Sequence, residues 1–319
     1  MKSLFNYAFM LMVGAFVIGC GGDSDTNGGN SGDNGNKEMI TQKGSDTMVL
    51  LAQKWAETFS AQSGEITIQV SGGGTGTGIS ALINGTTQIC NASRAMTAEE
   101  KEQLKQKNGV DPYEVAVAKD GLSIYAHVDN KITQLTMEQL KGIYEGKIKT
   151  WEEVGGSGGA IILYGRENNS GTYDFFKEHV LDKGDFAQNT STLSGTAAVV
   201  NAVSKDKAGI GYGGAAYSQG VKVVKVVGAD GTALEPTLDN ILSGKYALAR
   251  DLYLYMAEEP AGTVKEYIDW ILSDEGQALA VEMEYFPVRT VGGAATAPAG
   301  DDTGAAAADT PATGGDTTK

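Results

Sequence analysis

The sequence predicts an α/β fold of two lobes, each a mixed sheet flanked by helices. Three observations predict it. Helical and strand periodicities alternate through residues 39–291. Three strand-like runs each lead into a turn of glycine and hydroxyl residues and then into a helix. Two more strand-like runs, Leu122 to Val128 and Leu252 to Met256, stand between differently patterned blocks and suit two hinge crossings. Those crossings assign residues 39–120 plus 250–291 to the first lobe and 121–249 to the second.

The elements follow from local pattern. Met48, Leu51, Ala52, Trp55 and Phe59 recur at helical spacing after Gly44-Ser45-Asp46-Thr47. Ile66, Ile68 and Val70 alternate as one face of a strand does. Thr97 with Glu100, Thr136 with Gln139 and Thr263 with Glu266 each match a capping box, in which two side chains satisfy the first amides of a helix. No internal repeat is present in this body.

The flanks read differently. Lys2 precedes an apolar run from Tyr7 to Ile18 that ends in Val17-Ile18-Gly19-Cys20. A positive start, a short apolar stretch and small residues at its end predict a secretory signal over residues 1–19. Cysteine in that position resembles a bacterial lipobox, which implies cleavage before Cys20, lipidation of its thiol and attachment to a membrane. Residues 20–38 are the lipidated cysteine and a Gly, Asn, Ser and Asp linker unable to bury apolar surface. Residues 292–319, rich in Ala, Gly, Thr and Asp, predict a disordered tail. Of the two cysteines only Cys90 remains for the body, so no internal disulfide is expected, and its apolar setting reads as burial.

Composition narrows the function. With 40 acidic and 25 basic residues the net charge is -15, which argues against a nucleic-acid partner. A buried small-anion site is still allowed, because local dipoles set such a site and net charge does not. The two histidines, His127 and His179, have no nucleophile beside them in a recognisable motif. No Gly-x-Ser-x-Gly elbow, Walker A loop or Cys/His metal cluster occurs, so neither an enzyme, a cofactor nor a resident metal is expected.

The three glycine and hydroxyl turns carry the functional signal. They are Gly44-Ser45-Asp46-Thr47-Met48, the run Gly72 to Gly78, and Arg166-Glu167-Asn168-Asn169-Ser170-Gly171-Thr172. Each puts backbone amides and hydroxyls at a helix N-terminus, where the unpaired donors and the helix dipole favour an anion. A single such turn is ordinarily a cap; three in one chain, one with an arginine, point to an anion site. Arg166 follows the run Ile161 to Tyr164, and a guanidinium suits two-point pairing with an oxyanion.

These residues resemble the phosphate-binding component of the bacterial phosphate ABC transporter, a type II periplasmic binding protein. The resemblance spans nearly all of residues 39–288 and rests on Gly44 to Met48, the Gly72 to Gly78 run, Ala92-Ser93-Arg94, Ile210-Gly211-Tyr212 and the late Ser273 to Gln277. Its most specific part is Arg166, three residues, then Ser170-Gly171-Thr172. It implies a monomer that binds inorganic phosphate and hands it to the transporter's membrane subunits. It implies donors from Ser45, Thr47, the Met48 amide and Thr75 in one lobe, and from Arg166, Ser170, Gly171 and Thr172 in the other. The family commonly has an aspartate where Arg94 stands, and that carboxylate accepts the phosphate's proton. Arg94 here either contacts the anion or pairs with a carboxylate. Asp46 is a replacement acceptor or, alternatively, a helix cap. Another oxyanion such as sulfate or molybdate, a phosphate-handling enzyme and an adhesin are the competing readings.

Overall fold

The computed structural model describes residues 38–289. The expected signal segment, Cys20, the linker and the 292–319 tail lie outside the described residues. In chain order the elements are β1 (Glu38–Gly44), α1 (Val49–Ser63), β2 (Ile66–Ser71), α2 (Thr75–Ile83), β3 (Ile89–Ala92), α3 (Ala98–Asn108) and β4 (Tyr113–Ala126). Next come β5 (Gln134–Thr136), α4 (Met137–Tyr144), β6 (Ile162–Arg166), α5 (Gly171–His179), β7 (Ser191–Leu193) and α6 (Thr196–Lys205). The remainder is β8 (Gly209–Gly214), β9 (Lys222–Val227), β10 (Ala233–Leu234), α7 (Leu238–Leu242), β11 (Ala249–Met256), α8 (Gly262–Ile271) and α9 (Asp274–Glu282).

The strands join in the order β2-β1-β3-β11-β4-β8-β6-β7, with β9 on β4 and β5 and β10 on β9. β1 lies parallel to β2 and β3, as crossover helices require. β11 lies antiparallel to β3 and β4, which makes the sheet mixed. The 14-residue β4 is shared: Tyr113 to Gly121 pair with β11, and Leu122 to Ala126 pair with β8 and β9.

Two hydrophobic cores flank that shared strand. The first gathers Ile40, Trp55, Ile68, Leu254, Tyr267 and Ile271. The second gathers Ile124, Leu140, Tyr144, Trp151, Phe176 and Tyr212. Along β4 the core changes between Ala118 and Leu122, and on the way back between Leu248 and Leu252. Both changeovers lie at the N-terminal edge of the runs from which hinges were expected, because Ile124 and Leu254 already sit inside a single core. A third strand of chain reaches the seam as well: Phe286 pairs antiparallel with Lys119, and the Tyr285 hydroxyl donates to Thr47 O at 2.5 Å.

The capping boxes at Thr97/Glu100 and Thr136/Gln139 both form. The one expected at Thr263/Glu266 does not. α8 starts two residues earlier, with Ala261 as its cap residue, so Thr263 already lies inside the helix and its hydroxyl donates to Glu38 Oε2. Cys90 is fully buried beside Ile79 and Leu82, and burial pushes its thiol far above the ordinary cysteine range.

Candidate anion site

Each of the three turns is shaped by close backbone approach. Gly44 has φ +148°, and a Cβ there would lie 2.1 Å from Asn91 O, so the residue leaving β1 must be glycine. This lets the Ser45 amide reach Asn91 O at 2.9 Å and Ser45 Oγ reach Ser93 Oγ at 2.9 Å. The second turn uses Gly73 and Gly74 with positive φ; a Cβ at Gly74 would meet Asn169 O at 2.6 Å. That contact belongs to the third turn, whose Asn169 also receives the Gly76 amide on its carbonyl and donates from its side chain to Gly73 O and Thr77 Oγ1. Ser170 caps α5, accepting from the Thr172 and Tyr173 amides.

The turns converge across the seam. Thr47 Oγ1 lies 2.8 Å from Thr172 Oγ1, and Thr75 Oγ1 lies 3.4 Å from Ser93 Oγ. Arg166 donates from Nη2 to Asp46 Oδ2 at 2.8 Å and from Nη1 to Thr196 Oγ1 at 2.9 Å. Its Nε is buried without a protein partner, a donor that a buried acceptor would satisfy. Ser45, Thr47, Thr75, Arg166, Ser170 and Thr172 are all buried. Burial outweighs the neighbouring Asp46 and depresses the Arg166 guanidinium below its ordinary range, yet arginine stays charged in proteins. The Asp46 carboxylate takes the Gly73 amide on Oδ1 at 2.9 Å, so it bonds the second turn and not its own helix.

Met48 is placed otherwise than expected, and of the two readings of Arg94 the structure shows the carboxylate pairing and not an anion contact. The Met48 amide donates to Ser45 O and its side chain packs in the first core. Arg94 is engaged by carboxylates: Nη1 and Nη2 grip Glu100 at 2.8 Å each, and Nε reaches Asp174 Oδ2 at 2.7 Å across the seam. Burial acts to raise Glu100 but the Arg94 guanidinium overrides it and holds the carboxyl below its ordinary range. At Asp174 burial wins against Arg94, and that carboxyl stands above its ordinary range. The Arg94–Asp174 pair lines a cleft of about 810 Å³ that opens beside the cluster between Met96 and Phe175. Among the described residues, no group of His, Cys, Asp or Glu is placed to hold a metal ion.

Gly171 sets how closely the lobes meet. A Cβ on it would lie 2.5 Å from Thr75 Oγ1 and 2.8 Å from Ser93 Oγ, both on the opposite lobe. Gly171→Ala is therefore expected to weaken anion binding by roughly ten- to a hundredfold, the scale of an overpacked contact. The unfolding temperature of the ligand-free protein should hardly change, because alanine suits the first turn of a helix. Calorimetry and thermal melts together check this; equal affinity would show that the seam does not need to close this tightly.

Comparison with known proteins places this geometry. The model of the PBP superfamily domain matches residues 26–275. The phosphate-binding protein PstS of Pseudomonas aeruginosa is 36% identical over 276 residues, covering 81% of this chain and 84% of its own length. PstS of Staphylococcus saprophyticus is 36% identical over 278 residues, with 84% and 83% covered. The chain belongs to the PstS family. Among solved structures, a Clostridium perfringens protein described as a phosphate ABC transporter substrate-binding protein, with bound phosphate, superposes at TM-score 0.72. It is 31% identical, and the match covers 79% of this chain and all of that one. The mixed sheet flanked by helices is the periplasmic-binding-protein type II fold.

For this member of the PstS family, sequence reasoning missed several residues of the cluster. Arg250 on β11 and Asp120 on β4 form a buried ion pair at 2.7 Å, and Arg250 also reaches Thr47 and Thr172. Ser93 and Thr196 complete the hydroxyl set. The available signal was faint: Lys119-Asp120 and Arg250-Asp251 place charges within otherwise apolar strand runs.

Proposed function

We propose that this chain is an exported, lipid-anchored receptor that binds inorganic phosphate between its lobes and delivers it to the membrane subunits of an ABC transporter. One observation carries the reading. Three helix N-termini from two lobes bring buried hydroxyls and a buried guanidinium to a single cluster, with the Arg166 Nε donor unpaired within it. Such a donor set binds a tetrahedral oxyanion with little need for net charge, since both buried arginines are matched by carboxylates. The names of the PstS relatives and of the Clostridium protein support phosphate as that anion and a transporter as the recipient. The Gly19-Cys20 junction supports the lipid anchor, and no helix among the described residues is long and apolar enough to cross a membrane.

Binding proceeds by lobe closure. Phosphate meets Thr47 and Thr75 on the first lobe, and Arg166, Ser170, Gly171 and Thr172 close over it from the second. The ligand favours closure because only the closed arrangement supplies both donor sets. The chain carries out no bond chemistry in this scheme. Isothermal titration of the mature protein with phosphate, arsenate, sulfate and molybdate tests it. The expected result is one saturable site for phosphate and arsenate and a far weaker response to sulfate. Absence of any saturable phosphate heat defeats the proposal, and preference for sulfate or molybdate reassigns the ligand.

A further inference from the structure

We propose that Arg250 is a positioning residue of the anion site: it fixes the Thr47 and Thr172 hydroxyls as donors that point at the ligand. This deepens the phosphate reading and rests on it. Arg250 lies on β11, outside all three glycine turns, and its side chain is only 3% exposed. Asp120 holds it from β4, accepting Nε at 3.0 Å and Nη2 at 2.7 Å on one oxygen. Ser93 O takes Nη1 at 3.2 Å, and the Phe175 ring of α5 lies 5.3 Å from its Cζ. Asp120 is itself fixed by the Ala215 amide. The fork therefore has one orientation.

In that orientation Nη2 points at both threonine hydroxyls, 3.1 Å from Thr172 Oγ1 and 3.4 Å from Thr47 Oγ1. A hydroxyl can donate or accept, whereas a guanidinium only donates. Once each oxygen accepts from Arg250, the proton it carries is left to point elsewhere. Without ligand one of these hydroxyls donates to the other at 2.8 Å. An anion oxygen seated beside the pair can accept from both, and because Arg250 already occupies an acceptor position on each oxygen, only that one proton has to turn outward on binding. The Asp120 partner neutralises Arg250, so the effect acts through orientation and not through added charge. The two threonines belong to different lobes, so Arg250 makes both contacts only when the lobes have met.

The test is a double-mutant cycle read by phosphate titration. Arg250→Lys keeps a charge for Asp120 but loses the fork, and Arg250→Gln removes the charge; each is expected to weaken phosphate binding roughly ten- to thirtyfold. In a Thr47→Val/Thr172→Val background the same substitutions should cost about threefold or less, because the hydroxyls they orient are gone. A packing role would cost the same in both backgrounds, and that outcome overturns the proposal. So does wild-type affinity in Arg250→Lys, which retains the buried pair and remains testable if Arg250→Gln does not fold. Failure of the parent protein to bind phosphate would instead strike the proposed function, so the two failures are distinguishable.

Discussion

Arg166→Met is expected to weaken phosphate binding by about a hundredfold or more, the largest loss from any single side chain of the cluster. The guanidinium is the one charged donor in the three turns that faces the seam, and its Nε is buried without a partner. Hydrogen bonds to charged groups contribute about 1.5–3 kcal/mol each, and a fork can supply two of them to one oxyanion. Methionine keeps the apolar stem and removes every donor. It also leaves Asp46 without its 2.8 Å partner, so a carboxylate would then face the incoming anion unpaired. Both effects act in the same direction. Arg166→Lys should recover part of the loss, because a point charge survives without the fork geometry. Calorimetric titration decides; an affinity within a few-fold of wild type would move the anion elsewhere.

Asp46→Asn is expected to narrow the gap between phosphate and sulfate by roughly a hundredfold to a thousandfold, in addition to weakening phosphate itself. An ionised carboxylate only accepts, and it offers about four lone-pair positions. In the structure the Gly73 amide and Arg166 use two of them, so capacity remains for one more donor. Phosphate near neutral pH carries a proton to give, while sulfate has none and would set oxygen against oxygen. A buried charged group left unpaired costs several kcal/mol, and about 1.4 kcal/mol is tenfold in affinity. Asparagine supplies an N–H₂ in that place, which sulfate can accept from. Selectivity is the informative readout, because loss of the Arg166 pair alone would lower affinity for both anions alike. Titration with both anions checks it: an unchanged ratio would limit Asp46 to holding Arg166.

The three strand–turn–helix junctions were legible in the sequence because each is local: glycine spacing, a hydroxyl and an apolar helical face lie within one short stretch. Thr97 with Glu100 and Thr136 with Gln139 were legible for the same reason. Thr263 with Glu266 carries an identical pattern and still fails, since the chain at Ala261 and Gly262 enters the helix two residues earlier and Glu38 claims the hydroxyl. Local pattern proposes a cap, and the register of the helix start decides it.

Taken by itself, the sequence determined the α/β alternation, the turns bearing Ser45, Thr47, Thr75, Ser170, Gly171 and Thr172, and the arginine beside the last of them. Only the tertiary structure decided how these charges pair. Arg166 meets Asp46 from 120 residues away, Arg250 meets Asp120 from 130, and Arg94 is divided between Glu100 and Asp174. The physical reason is that periodicity encodes which face of an element is buried. A salt bridge between separate elements depends on where those elements end in space, and nothing periodic in a chain records that.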